Sequence, residues 1–268
     1  MPSAIPEYEV YALRYAHAAR SSIRTFLLPP DPHDSAVPMD FYVWAIRSDK
    51  HTIVVDTGFN AEVGRRRRPE WKILQPPDAA LRQIDIDATT ISDVVISHLD
   101  WDHSGNTALF PKAKLHVQDA EVAFRTGRYM SHPFFAQRAE IDDVLTTVRN
   151  VYAGKVRFHD GTGEIAPGVT VHLVGGHTAG MQVVRVPTAR GWVVLASDAA
   201  HYWDNLRKRH PFPIVLDVGK MLEGFRVMEG LAESMDHIIP GHDPEVMQRF
   251  PAVPGVPDIV RLDRPPAS

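Results

Sequence analysis

Val94-Val95-Ile96-Ser97-His98-Leu99-Asp100-Trp101-Asp102-His103-Ser104-Gly105 is the stretch from which the rest of the chain can be read. A short β-branched run of this kind reads as a strand with a buried face, and here it delivers a knot of histidine and aspartate at its end. Geometry limits what that knot can be. On a helix, His98 and Asp102 share a face while Asp100 points the other way. On a strand, His98, Asp100 and Asp102 align but His103 turns aside. Neither regular structure aims all four at one point, so a loop that divides its ligands between two metal ions ~3.5–4 Å apart fits better.

Taken singly, each residue has an ordinary explanation: Asp102 caps a helix, and the histidines are surface or core residues. That explanation weakens further along the chain, where other apolar runs stop in the same abrupt way. Thr52-Ile53-Val54-Val55 ends at Asp56-Thr57-Gly58, and Val169 to Val174 at Gly175-Gly176-His177. Trp192 to Ser197 ends at Asp198, and His237-Ile238-Ile239-Pro240 at Gly241-His242. His98, His103, His177 and His242 with Asp100, Asp102 and Asp198 make a complete donor set for two metals sharing a bridging carboxylate and a bridging hydroxide. Composition points the same way, because Cys 0 removes thiolate ligands and nucleophiles while His 14 leaves imidazole in supply.

A length of 268 residues suits one domain spanning 1–268, and 44% apolar with 23% charged residues is a globular balance. The net charge of −4 gives no footprint for nucleic acid or an anionic membrane. Pro2, Pro6, Glu7 and Glu9 interrupt any early signal-like apolar stretch, so the expected location is the cytoplasm. Arg65-Arg66-Arg67-Arg68, between Gly64 and Pro69, reads as an exposed loop. Met221, Leu222, Phe225, Met228, Leu231, Ala232 and Met235 recur at helical spacing with Asp217 as the expected cap, and segments 117–126 and 135–150 also read as helices. The Pro-rich tail, 251–268, reads as an extended strap or frayed end. Strands alternating with helices predict an α/β layered fold.

The run from Ser97 to Asn106 resembles the signature of the metallo-β-lactamase superfamily, usually HxHxDH. Val55-Asp56-Thr57-Gly58, Gly176-His177-Thr178-Ala179-Gly180, Ser197-Asp198 and Pro240-Gly241-His242-Asp243 match in order over residues 36–250. The resemblance implies an αβ/βα sandwich with two Zn2+ per chain at the sheet edges. It implies that His98, Asp100 and His177 bind one ion, that Asp102, His103 and His242 bind the other, and that Asp198 bridges. Asp56 would orient a ligand imidazole, or serve as a turn residue before Gly58, or both. Asp100 departs from the pattern, standing where the family has His. Its added charge predicts a less electrophilic first metal.

The chain looks most like the zinc lactonases of that family. Its length and aspartate-containing motif are similar to a lactonase that opens 4-pyridoxolactone to 4-pyridoxic acid in vitamin B6 degradation, so a small-molecule lactone is the expected substrate. Asp102 would orient the nucleophile or pass a proton to the leaving oxygen. The related lactonases carry a tyrosine three residues after the bridging aspartate; His201 holds that position here and Tyr202 follows, so either could donate to the oxyanion. Trp44, Phe134, Phe135, Tyr202 and Trp203 are candidate pocket aromatics, Trp44 and Tyr202 foremost. The rival readings are an N-acyl-homoserine lactonase, a thioester hydrolase of the glyoxalase II type with Arg65–Arg68 taking substrate carboxylates, and a binding module with structural metals.

Overall fold

The computed structural model describes residues 5–19, 25–28 and 37–267. Two sheets carry the fold. The first begins with β1 (Glu9–Ala18), β2 (Met39–Arg47), β3 (Thr52–Val55), β4 (Lys72–Ile73), β5 (Asp93–Val95), β6 (Lys114–Gln118) and β7 (Val156–His159). The second holds β8 (Thr162–Ala166), β9 (Val169–Leu173), β10 (Gln182–Thr188), β11 (Gly191–Ser197) and β12 (Ile238–Pro240). The chain then returns to the first sheet with β13 (Ala252–Val253) and β14 (Val256–Arg261). Strand order is β13-β14-β1-β2-β3-β5-β6-β7, with β4 beside β1, against β12-β11-β10-β9-β8.

Alternation along β2 shows how the layers are built. Tyr42, Trp44 and Ile46 enter a core shared with Val171, Val184 and Leu195 of the second sheet. Phe41, Val43 and Ala45 enter another, shared with Ala80, Leu81 and Trp101 from helical segments. A strand covered on both faces loses the apolar/polar alternation of a half-exposed one. Helix Val218–Leu231 closes the second sheet from outside with Met221, Phe225 and Met228, and Asp217 Oδ1 accepts from Lys220 N at 3.0 Å as the expected cap. The layers are therefore helix, sheet, sheet, helix. Each aliphatic side chain buried between them contributes about 1.5–3 kcal/mol.

Some local expectations are corrected. Arg65, Arg66 and Arg67 lie on helix Ala61–Arg67, started by Asn60, whose side chain accepts from Glu62 N. Segment 117–126 is the end of β6 followed by helix Asp119–Thr126, and segment 135–150 divides into helices Pro133–Ala136 and Ile141–Tyr152. The proline-rich tail is extended, as expected, and not frayed at its start: it supplies β13 and β14, β14 pairs with β1, and Ile259, Val260 and Leu262 are buried. No helix among the described residues is long and apolar enough to cross a membrane.

The topology also sets the site. β3, β5, β6 and β7 run parallel, as do β11 and β12. Parallel strands finish on a common edge, where ligand crevices of open α/β sheets form. Asp56, His98, Asp198 and His242 all follow such strand ends.

Candidate metal centre

His98, Asp100, Asp102, His103, His177, Asp198, His201 and His242 converge between the two sheets, and every one of them is buried. Their ligand atoms form overlapping groups: His98, Asp100 and His177; His98, His103 and Asp198; Asp102, His103 and His242; Asp198, His201 and His242. His98 Nε2 and His177 Nε2 lie 3.2 Å apart. Asp198 Oδ1 lies 2.9 Å from His242 Nε2 and 3.2 Å from His103 Nε2, and Asp198 Oδ2 lies 2.9 Å from His201 Nε2.

Close turns allow the convergence. Gly176 sits at φ +89, and a Cβ there would fall 2.6 Å from Met221 Cα. A Cβ on Gly241 would fall 2.6 Å from the Ser197 carbonyl oxygen, so a side chain would push His242 away from Asp198.

The imidazoles are oriented from behind. Asp56, held at φ 60, receives Ser97 N on Oδ1 at 2.7 Å and faces His103 Nδ1 with Oδ2 at 2.8 Å. Ser97 Oγ and Ser197 Oγ donate to the same oxygen at 2.8 and 3.1 Å. Asp56 thus both occupies the turn before Gly58 and orients the His103 imidazole. His177 Nδ1 donates to Ile214 O at 2.7 Å and His242 Nδ1 to Asp40 O at 2.9 Å, leaving each Nε2 as the inward atom.

Buried polar atoms normally find partners. Among the described residues, Asp100 Oδ2, His103 Nε2, Asp198 Oδ1 and His201 Nδ1 have no hydrogen bond of good geometry despite their close neighbours, and the first three point into the cluster. Together with the nitrogen and oxygen chemistry of the donors, this fits divalent metal. Charge is balanced internally in the same sense. Burial would raise the Asp198 carboxyl, but His242, His103 and His201 hold it well below the usual range. Burial pushes the His98 imidazole down, helped by His103, whereas His103 is raised despite burial by Asp198, Asp102 and Asp56. His201 is brought down to about 3 by burial, so it is a neutral imidazole near pH 7.

Asp100 has a partner that the sequence did not reveal. Its Oδ1 meets the buried Arg125 guanidinium, which also donates from Nε to Glu121 Oε1 at 3.2 Å. Burial would raise the Asp100 carboxyl, but Arg125 and then His177 hold it well down. Glu121 in turn accepts from Leu99 N, Thr178 Oγ1 and Gly180 N, tying the two ligand loops together. A Glu and an Arg four residues apart on a helix are the commonest kind of exposed pair, so spacing alone carried no hint of this role.

The aromatic candidates divide. Trp44 is 0% exposed within the inter-sheet core, and Trp203 is equally buried with Nε1 donating to Ile238 O, so both are packing residues. The Tyr202 hydroxyl donates to Pro38 O at 3.1 Å, and its ring borders a crevice with Val37 and Asp243 beside the cluster. His201 stacks on Phe212, with ring centroids 3.4 Å apart. Phe134 and Phe135 line a second crevice whose floor includes Asp100 and His177.

Comparison with known proteins agrees with this geometry. The family model described as "Metallo-beta-lactamase superfamily" matches residues 41–249. The chain belongs to the metallo-β-lactamase superfamily. Among superfamily relatives, N-acyl homoserine lactonase AiiB of Rhizobium rhizogenes is 34% identical over 198 residues, covering 66% of this chain and 70% of the relative. The solved structure of a mutant of B. thuringiensis AiiA, with N-decanoyl-L-homoserine bound at its active site, superposes with TM-score 0.72 at 19% identity, covering 94% of this chain and 99% of that one. AidC, described as a dizinc quorum-quenching lactonase, superposes with TM-score 0.66 at 15% identity, covering 90% and 89%. At these identities the two structures attest the superfamily fold.

Proposed function

We propose that the chain is a metal-dependent hydrolase that opens a lactone ring, with His98, Asp100 and His177 holding one Zn2+, Asp102, His103 and His242 the other, and Asp198 between them. The observation that carries this is the set of buried, unpartnered ligand atoms on Asp100, His103 and Asp198 facing shared points between the sheets. Zinc is supported by the dizinc description of AidC and by the all-nitrogen and oxygen donors. Bound at such a site, the ions supply a water-derived nucleophile at neutral pH and polarise an ester carbonyl.

The chain's own groups do the rest. Asp56 fixes the tautomer and direction of His103 through the 2.8 Å contact. Asp102, whose backbone carbonyl accepts from Tyr15 Oη at 2.8 Å, keeps its carboxylate at the metal face, where it orients the nucleophile or returns a proton to the leaving oxygen. His201, neutral and braced by Phe212, has one ring proton to offer; with substrate present it passes from Asp198 Oδ2 to the carbonyl oxygen. Arg125 faces both Asp100 and Glu121, and Arg138 approaches Asp100 Oδ2 at 3.5 Å.

For the substrate, we favour a flat bicyclic lactone of the 4-pyridoxolactone kind, supported by the phenyl rings of Phe124, Phe134 and Phe135 over Asp100 and His177, which must part to admit it because the crevice among them holds about one water. N-acyl-homoserine lactone is the second reading, supported by the activity named for AiiB. The test is metal analysis of the purified protein with turnover of both lactones, with and without chelator. Two ions per chain and chelator-sensitive opening of the pyridoxolactone support the first reading, and opening of the acyl-homoserine lactone alone supports the second. Chelator-resistant turnover defeats the metal mechanism.

A further inference from the structure

We propose that the crevice over Asp100 and His177 selects lactones bearing an anionic oxygen on a flat ring, and that Arg138 is the residue receiving that oxygen. This rests on the lactonase reading and adds the substrate's charge to it. The crevice walls are Phe124, Phe134, Phe135, Ile214 and Val215, and its polar members besides the floor are Arg125, Arg138 and Thr178. Arg125 is occupied by Asp100 and Glu121, and Thr178 Oγ1 donates to Glu121 Oε2 at 2.6 Å.

Arg138 is different. Among the described residues its Nε is buried without a hydrogen-bond partner and lies 3.5 Å from Asp100 Oδ2. That oxygen is the one Asp100 keeps for metal. Glu121 and Arg125 cancel, the Asp100 charge would go to the metal, and one guanidinium with a side chain only 19% exposed would be left over in a crevice lined by phenyl rings. An uncompensated cation in such a place is costly until an anion arrives. Phe134 and Phe135 meet edge to face at 5.1 Å, so the wall they form suits a planar ring.

The arginine run explains why Arg138 stays in place. Arg67 donates to Gln137 O at 2.7 Å and Ala139 O at 2.9 Å, and both Arg66 and Arg67 pair with Glu140. Trp101 N donates to Arg138 O at 3.0 Å. The backbone is thus held on both sides of Arg138 and across it to the metal loop. Arg67 is a positioning residue for Arg138, whereas Arg65 and Arg66 are exposed.

The experiment compares 7-hydroxyphthalide, assayed above the pKa of its phenol, with 7-methoxyphthalide on zinc-loaded wild type, Arg138→Gln, Arg138→Lys and Arg67→Gln. The ratio of kcat/KM for the phenolate over the methyl ether should fall ~10- to 100-fold in Arg138→Gln through KM, as loss of a charged hydrogen bond predicts. Arg138→Lys should recover part of it. Arg67→Gln should move the ratio the same way by a smaller factor, whereas a merely structural role would lower both lactones equally. A ratio in Arg138→Gln within about twofold of wild type, less than any charged hydrogen bond is worth, overturns the proposal. If wild type opens neither phthalide, the dissociation constants of the two intact lactones, measured by calorimetry on the same proteins, decide the role of Arg138 by the same ratio, and the lactonase reading is decided separately by the turnover of the pyridoxolactone and the acyl-homoserine lactone.

Discussion

Among the described residues, two buried histidine clusters differ in how far their donors are satisfied. At the strand ends, imidazoles and carboxylates crowd together with ligand atoms unpartnered. Within the first sheet, His116 on β6 faces His159 on β7 with Nδ1 and Nε2 at 2.9 Å, while its Nε2 meets Asp93 Oδ1 at 2.9 Å. The second cluster is a closed chain in which each contact satisfies the next. A Cβ on Gly163 would collide with the His159 ring, so that glycine makes room for the pair. What separates a metal centre from a structural polar network is therefore whether the buried donors are finished among themselves.

That contrast can be broken from either side. The largest effect is expected from Asp198→Ala, which removes the shared carboxylate: lactone opening should fall beyond the ~10–100-fold of an outer-shell loss. Plasma emission should then find fewer than two zinc ions per chain. Retained turnover with full metal would mean that Asp198 does not bridge. Next comes Arg125→Leu, which strands Asp100 and Glu121 as buried carboxylates and should cost about 3–5 kcal/mol in urea unfolding of the metal-free protein. A loss typical of a surface pair would show that Arg125 is not their counter-charge. Asp56→Ala frees the His103 ring and should weaken zinc binding ~10–100-fold in a chelator competition, with the fold intact by circular dichroism.

The smallest effect belongs to the other cluster and has the opposite signature. Burial, then His116 and Arg157, bring His159 down to about 4 from its ordinary 6.5, and His116 is also lowered. The unfolded chain therefore binds more protons than the native one between about pH 4 and pH 6.5. Stability from this pair is complete above pH 6.5, falls as pH drops through that window, and levels off below it. His159→Gln should flatten this part of the pH dependence without changing zinc content. A slope unchanged by the substitution would place the acid sensitivity elsewhere.

Much of the centre is legible in the sequence because its chemistry is local. His98, Asp100, Asp102 and His103 sit in one hexapeptide, and Asp56, His177, Asp198 and His242 each follow a β-branched run. What sequence does not carry is pairing over distance. Glu121 and Arg125 look like a solvated helix pair until the loops at Leu99 and Thr178 close on them. Trp44 reads as a pocket aromatic because a strand buried on both faces has no polar alternation to mark its inner side. The arginine run reads as a loop because Gly64 and Pro69 frame it, while the Asn60 cap starts a helix that carries Arg65 to Arg67, with Arg67 turned to the carbonyls of Gln137 and Ala139.

The pairing of β14 with β1 has a consequence for how the chain is made. Tyr11 registers with Arg261, partners about 250 residues apart. At ~5–20 residues per second, synthesis leaves the β14 side of β1 open for roughly 10 to 50 s. An unpaired strand edge is a template for wrong partners, and contacts this distant are slow to close. β14 therefore acts as a kinetic latch, and the sheet that positions Asp56 becomes whole only once Arg261 has emerged.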